Sequence, residues 1–279
     1  MPRPCSLAYL TASALTPPQA VSLAARLGYQ FVGLRPLPNA RGAPQQFLIG
    51  RDDVLRETVA AQRDTGVGVF DLEIIRIGEG FDPQSYVPLF EAGAALASRA
   101  VLVAGDDRDS ARLADSYARL CERMRPYGQT ADLEFMPWTA VPDARAALRI
   151  LEAAGRPANA GILVDALHAA RSGTMPADVR SIPRGLLHYA QICDAPVRPR
   201  AGGSFSVEEM IHTARCERLI PGEGGIDLPA LFAALPADLP VSIEIPNEVR
   251  VAEVGTEEWA RRALAATLAT LRMSDAAAD

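Results

Sequence analysis

Four apolar runs in the second half of the chain close on side chains that could hold a cation or move a proton. Gly161-Ile-Leu-Val-Asp-Ala-Leu-His passes straight from apolar residues onto Asp165, and His168 follows three residues later. Ala131-Asp-Leu-Glu-Phe-Met carries Glu134, His188-Tyr-Ala-Gln-Ile-Cys-Asp carries Gln191 and Asp194, and Val241-Ser-Ile-Glu-Ile-Pro carries Glu244. Each run reads as a short strand buried on both faces, as in parallel sheets. One acid at a strand end is an ordinary helix cap. Four oxygen donors ending four successive strands point to one site. Three carboxylates gathered there would repel unless a cation joined them. An all-oxygen set suits Mn²⁺ or Mg²⁺, with Co²⁺ or Zn²⁺ as further candidates, better than it suits a structural zinc site.

The elements that must position these groups follow from the rest of the pattern. Ser6 to Leu10 reads as a first strand, and Thr16-Pro17-Pro18-Gln19 as a helix start with a Thr cap, Pro at the first helical position and Gln three after the cap. Further strands are expected at Phe31 to Arg35, Val67 to Ile75, Ala100 to Ala104, around Glu134, around Asp165, at Leu186 to Cys193 and at Pro240 to Ile245. Helices separate them, among them Asp52 to Asp64, Pro83 to Ser98, Ser110 to Met124 and a last one from Thr256 to Arg272. Pro36 to Phe47 reads as a loop, and Ala195 to Pro229 as a long irregular segment. Strands alternating with helices predict parallel pairing through βαβ crossovers. The expected architecture is a single α/β domain, a (β/α)8 TIM barrel over residues 1–273, with a frayed tail at 274–279. A doubly wound sheet would carry a Gly-rich phosphate turn after an early strand, and none is present.

Composition narrows the function. Of 279 residues, 28 are basic and 34 acidic, so the net charge of −6 offers no footprint for nucleic acid or an anionic membrane. No apolar run reaches the length of a membrane span. Cys5, Cys121, Cys193 and Cys216 are far apart and read as reduced thiols of a cytoplasmic protein. The apolar run after Arg3 is short and broken by Ser6 and Thr11, and is read as a strand, not a signal peptide.

The succession Leu-Glu, Val-Asp-x-x-His, Gln-Ile-x-Asp-x-Pro-x-Arg, Gly-Glu-Gly and Ser-x-Glu resembles the xylose-isomerase-like TIM-barrel superfamily. The likeness is greatest to hydroxypyruvate isomerase-type members. It implies that Glu134, Asp165, Gln191 and Glu244 bind one divalent metal, and that His168 and Arg198 face the substrate. Many relatives carry His where Gln191 stands, and the loop between Arg198 and Gly222 is longer than in hydroxypyruvate isomerases.

Such a site supports proton transfer beside a carbonyl, with the metal stabilising an enediolate as a Lewis acid and Glu134 and Glu244 as base and acid. Return of the proton to another carbon gives an isomerase, and return to the opposite face an epimerase, acting on a carbohydrate-like small molecule. Loss of a hydroxyl would make the chain a dehydratase of the inosose or dehydroshikimate type. A sugar-binding barrel without turnover is the remaining alternative. The superfamily's endonuclease branch, which uses several zinc ions and many histidines, is disfavoured by three histidines and a charge of −6. Arg198, Glu223, Arg35 and Trp138 are further candidates for lining the pocket, Arg198 as a partner for hydroxyl, carboxylate or phosphate. Asp194 is expected to make a structural hydrogen bond, and His188 and His212 to be structural. A homo-oligomer is a family-level expectation.

Overall fold

Eight short apolar segments pair in parallel and close on themselves, β1 to β8 in sequence order, with β8 returning to β1. The computed structural model describes residues 3–37, 48–199 and 202–278. The strands are β1 (Cys5–Leu7), β2 (Phe31–Leu34), β3 (Gly68–Ile77), β4 (Ala100–Gly105), β5 (Thr130–Glu134), β6 (Ala160–Asp165), β7 (Ala190–Ile192) and β8 (Val241–Ile243). The helices are α1 (Pro17–Leu27), α2 (Asp52–Thr65), α3 (Val87–Ala95), α4 (Ser110–Met124), α5 (Ala144–Ala153), α6 (Ala166–Ser172), α7 (Pro176–Arg180), α8 (Val207–Cys216), α9 (Leu228–Ala233), α10 (Glu248–Val254) and α11 (Thr256–Ala278). The architecture is therefore the expected (β/α)8 barrel.

The period of two along each strand sends alternate residues to opposite sides. Leu133, Ile162, Val164, Ile192 and Ile243 belong to the large core under the helices. Phe70, Ala100, Leu102, Leu163 and Tyr189 form a separate small core inside the barrel. Register then places the site. Glu134 lies beside Leu163, Asp165 beside Gln191, and Gln191 beside Ser242, with Glu244 two residues further on. All four share the interior face near the carboxyl ends.

Local sequence explains most of the frame. The Thr16 amide donates to Gln19 Oε1 at 2.9 Å, closing the expected N-terminal box of α1. Asp109 and Asp143 cap α4 and α5 with their carboxylates. Several segments differ from expectation. β1 ends at Leu7, not Leu10, because Tyr9–Thr11 winds into a 3₁₀ turn, and the helix expected over Pro83 to Ser98 is a 3₁₀ turn at Pro83–Tyr86 followed by α3, which ends at Ala95. β7 begins at Ala190, not Leu186, because Arg184–Leu186 winds into a 3₁₀ turn and Arg184 Nη1 donates to Leu187 O at 2.7 Å. β8 ends at Ile243, because the Thr11 hydroxyl donates to Ile243 O and accepts from Ile245 N, both at 2.7 Å. The last helix continues to Ala278, and the buried Ser274 hydroxyl donates to Thr270 O at 3.1 Å, so the expected tail is helical over most of its length. The loop expected over Pro36 to Phe47 lies, from residue 38, outside the described residues.

The long segment after β7 is not irregular throughout. Ser206 accepts from Glu209 N at 3.1 Å while Glu209 accepts from Ser206 N at 2.7 Å, a reciprocal cap that starts α8. Asp194 pins the return of the chain. Its two oxygens accept from the amides of Ala195, Gly222, Gly224 and Ile226 at 2.8 to 3.1 Å, the structural role expected of it. Gly224 has no side chain because a Cβ there would meet Asp194 and the Ala195 backbone. No helix of the described residues is long and apolar enough to cross a membrane.

Candidate active site

A cavity opens over the carboxyl end of the barrel, lined among others by Arg35, Glu73, Glu134, Trp138, His168 and Glu244. Asp165 and Gln191 have no exposed surface and are not among its lining residues. Asp165 ends β6 and caps α6, its Oδ1 accepting from His168 N at 2.9 Å. That cap fixes where the His168 ring goes: Nδ1 is 3.9 Å from Asp165 Oδ1 and Nε2 is 3.6 Å from Glu134 Oε1. Trp138 meets the imidazole edge to face, with ring centroids 5.0 Å apart. Glu134, Asp165 and His168 each bring a ligand atom to within 4.8 Å of the others.

The largest departure from expectation is Arg218. Its side chain is 2 % exposed, and it inserts between two of the candidate ligands: Nη1 is 2.6 Å from Asp165 Oδ2 and Nη2 is 2.8 Å from Glu244 Oε2. It is held there by Nε donating to Ala214 O at 3.0 Å and by Nη1 donating to Glu244 O at 3.3 Å. Gln191 Nε2 donates to Glu244 Oε1 at 3.1 Å. Nothing in the sequence marked Arg218 except its place three residues before Pro221-Gly-Glu-Gly, in the long segment that follows the Gln191 strand. The structure also brings in Glu73 from β3 and, at the mouth, Arg76 and Arg215.

Arg35 and Trp138 reach the cavity. Arg198 and Glu223 do not: neither is among its lining residues. Arg198 is exposed, flanked by Pro196 and Pro199, whose rings exclude the ladder that would keep the chain at the barrel mouth. Glu223 is exposed too and turns toward Arg250, with Nη1 3.4 Å away. Arg218, twenty residues beyond Arg198, is the arginine that enters the site.

Electrostatics set the four carboxyl-end groups apart. Burial, and then repulsion from Asp165 and Glu244, push Glu134 well above the usual carboxylate range. Burial raises Glu244 to about 8, against the opposing pull of Arg218. Burial would raise Asp165 as well, but the charge and hydrogen bond of Arg218 and the His168 contacts hold it below its ordinary value. Burial lowers His168 to about 4, so the ring is neutral at pH 7.

The donor chemistry fits a divalent cation. Three buried carboxyl groups, Glu134, Asp165 and Glu244, gather at the carboxyl end, and the Arg218 guanidinium bonds two of them. Gln191 Oε1 is buried without a partner, and Glu134, Asp165 and His168 are the group whose ligand atoms lie close enough together to share an ion.

Residues 21–270 match the family model of the xylose isomerase-like TIM barrel. No curated protein matches the chain in sequence. Solved structures similar in fold include an IolI protein with a bound zinc atom, at TM-score 0.79 and 18% identity over 97% of this chain and 98% of that one. An L-ribulose 3-epimerase matches at TM-score 0.68 and 20% identity over 100% and 97%. A probable 3-DHS dehydratase, AsbF of Bacillus anthracis, matches at TM-score 0.72 and 12% identity over 95% and 98%.

Proposed function

Because the chain belongs to the xylose isomerase-like TIM-barrel family, we propose that it is a divalent-metal-dependent isomerase or epimerase of a sugar or sugar-like hydroxyketone. One observation carries the reading: Glu134 and Glu244 face one cavity in unequal surroundings, the first 3.6 Å from His168 Nε2 and the second fixed by Arg218 and Gln191. A cation bound by Glu134, Asp165, Gln191 and Glu244, Mn²⁺ or Mg²⁺ on the oxygen donor set, supplies Lewis acidity to a carbonyl and its neighbouring hydroxyl. Glu134 and Glu244 form the acid–base pair, one taking the proton from carbon and the other returning one. Arg218 fixes the Glu244 carboxylate and neutralises part of the charge. His168, neutral and lodged against Trp138, offers a hydrogen bond to a substrate oxygen, and Arg35 holds a further one. The reading has the enzyme working in the cytoplasm, which four cysteines free of disulfides support.

The experiment is metal analysis of the purified protein after incubation with Mn²⁺, beside Asp165→Asn and Glu244→Gln, followed by ketose–ketose and aldose–ketose assays. About one ion per chain, lost in both variants, together with turnover that Glu134→Gln abolishes, is the expected result. Turnover only on inososes or dehydroshikimate would move the reaction to dehydration. Bound metal without turnover on any of these would leave a binding barrel, and no bound metal would overturn the metal site.

A further inference from the structure

A second polar pair lines the same cavity from β2 and β3. In a closed barrel of eight strands β3 is opposite β7, so Glu73 faces the strand of Gln191, and Arg35, just past the end of β2, faces that of Asp165. Arg35 Nη2 is 2.6 Å from Glu73 Oε2, with side-chain exposures of 16 % and 2 %. The Tyr9 ring lies beneath the guanidinium, 4.6 Å from Cζ to the centroid, and fixes its plane. Both residues line the same cavity as Glu134, His168 and Glu244.

A buried ion pair that served only the fold would use its remaining hydrogen-bonding atoms, because each one left open costs stability. This pair leaves two open. Glu73 Oε1 accepts nothing and Arg35 Nε donates to nothing, and both atoms are buried. One acceptor and one donor, from side chains locked together by the bond between them, form a complement to two neighbouring hydroxyls.

We propose that Arg35 and Glu73 form a second recognition point, reading a pair of vicinal hydroxyls of a polyhydroxylated substrate. Glu73 Oε1 accepts from one hydroxyl and Arg35 Nε donates to the other. The pair selects chain length and hydroxyl pattern, and takes no part in moving the proton. The inference rests on the proposal that the substrate is a polyol, and extends it to residues that the metal site does not use.

The test is titration calorimetry of Mn²⁺-incubated protein with two unreactive probes, xylitol and glycerol. The wild type should prefer xylitol by about tenfold or more, the worth of one charge-assisted hydrogen bond. Glu73→Gln should lose that preference while the Mn²⁺ electron paramagnetic resonance signal is unchanged. The double variant Arg35→Met/Glu73→Leu, which removes the ion pair without stranding a charge, should fold with an unchanged urea midpoint and also lose the preference. Its retention in the double variant would make the pair structural and overturn the inference. A wild type that binds both probes alike, or neither, would overturn it too. Failure to bind Mn²⁺ would count against the metal site alone, since the xylitol preference, then measured without Mn²⁺, still decides the role of the pair.

Discussion

On β5 two buried carboxylates stand two residues apart in different surroundings. Toward the amino end of the barrel, Asp132 of β5 is wholly buried and both its oxygens are bonded: Oδ1 to His188 Nδ1 at 2.7 Å, Oδ2 to the Thr130 hydroxyl at 2.6 Å. Toward the carboxyl end, Glu134 of the same strand has His168 Nε2 at 3.6 Å, and Gln191 Oε1 and Glu73 Oε1 have no partner. Unmet polar atoms are not confined to that end: Asp71, two residues before Glu73, is wholly buried with neither oxygen bonded, and the Tyr189 and Ser242 hydroxyls are open too. The closed bonds of Asp132 therefore belong to its own cluster with His188 and Thr130, and each such group left open costs stability.

Removal of Arg218, which bonds both Asp165 and Glu244, should have the largest effect. Arg218→Met leaves Asp165 and Glu244 facing each other with no cation between them. We expect a loss of about 3–5 kcal/mol in urea unfolding without added metal, the cost of stranding one side of a buried pair. Added Mn²⁺ should restore part of it in the variant and add less to the wild type. An equal response in both proteins would mean that the guanidinium and the ion do not share the same charge deficit.

Paired substitutions on β5 separate the clusters more directly. Glu134→Gln should lower turnover by about 10²- to 10⁴-fold, the range for a lost general base, with the unfolding midpoint unchanged or raised. Asp132→Asn should do the reverse, costing about 1–3 kcal/mol through the unmet bonds of His188 and Thr130 and leaving the metal stoichiometry intact. Gly161 sharpens the point from the neighbouring strand. A Cβ there would meet Asp132 Oδ1 and the His188 ring, so Gly161→Ala should cost about 1–3 kcal/mol by overpacking, with the site above it undisturbed. Loss of activity without loss of stability in Asp132→Asn would erase the distinction.

The difference between the clusters also explains what could be read from the chain. Glu134, Asp165, Gln191 and Glu244 were legible because each ends an apolar run, and strand ends become one place in a barrel. The helix boxes at Thr16 and the caps at Asp109 and Asp143 were legible because they are local chemistry. Glu73 was written in the same code, a charge at period two inside an apolar strand, but β3 runs on to Ile77, so the residue does not stand at its end. Arg218 had no such mark. It reaches Asp165 across 53 residues of sequence through a segment organised by the Ser206–Glu209 box and by Asp194, and only the closed fold brings it in. Arg198 had the better local pattern and the worse position.

The smallest expected effect is a titration confined to the amino-end cluster. Burial alone would lower the pKa of His188, but its bond to Asp132 and the charge of that carboxylate overcome this and raise it above the ordinary histidine value. The folded chain therefore binds the His188 proton more tightly than the unfolded chain does. The resulting stability is fully present below the unfolded value, about 6.5, and is lost as pH rises through the higher folded value. His188→Asn should flatten this part of the pH profile of unfolding and leave the slope from the carboxyl-end groups in place. Urea midpoints at a series of pH values above 6 measure both. A wild-type profile that His188→Asn does not alter would mean that the Asp132 bond holds the ring without holding its proton, and the amino-end cluster would owe its stability to packing around Gly161.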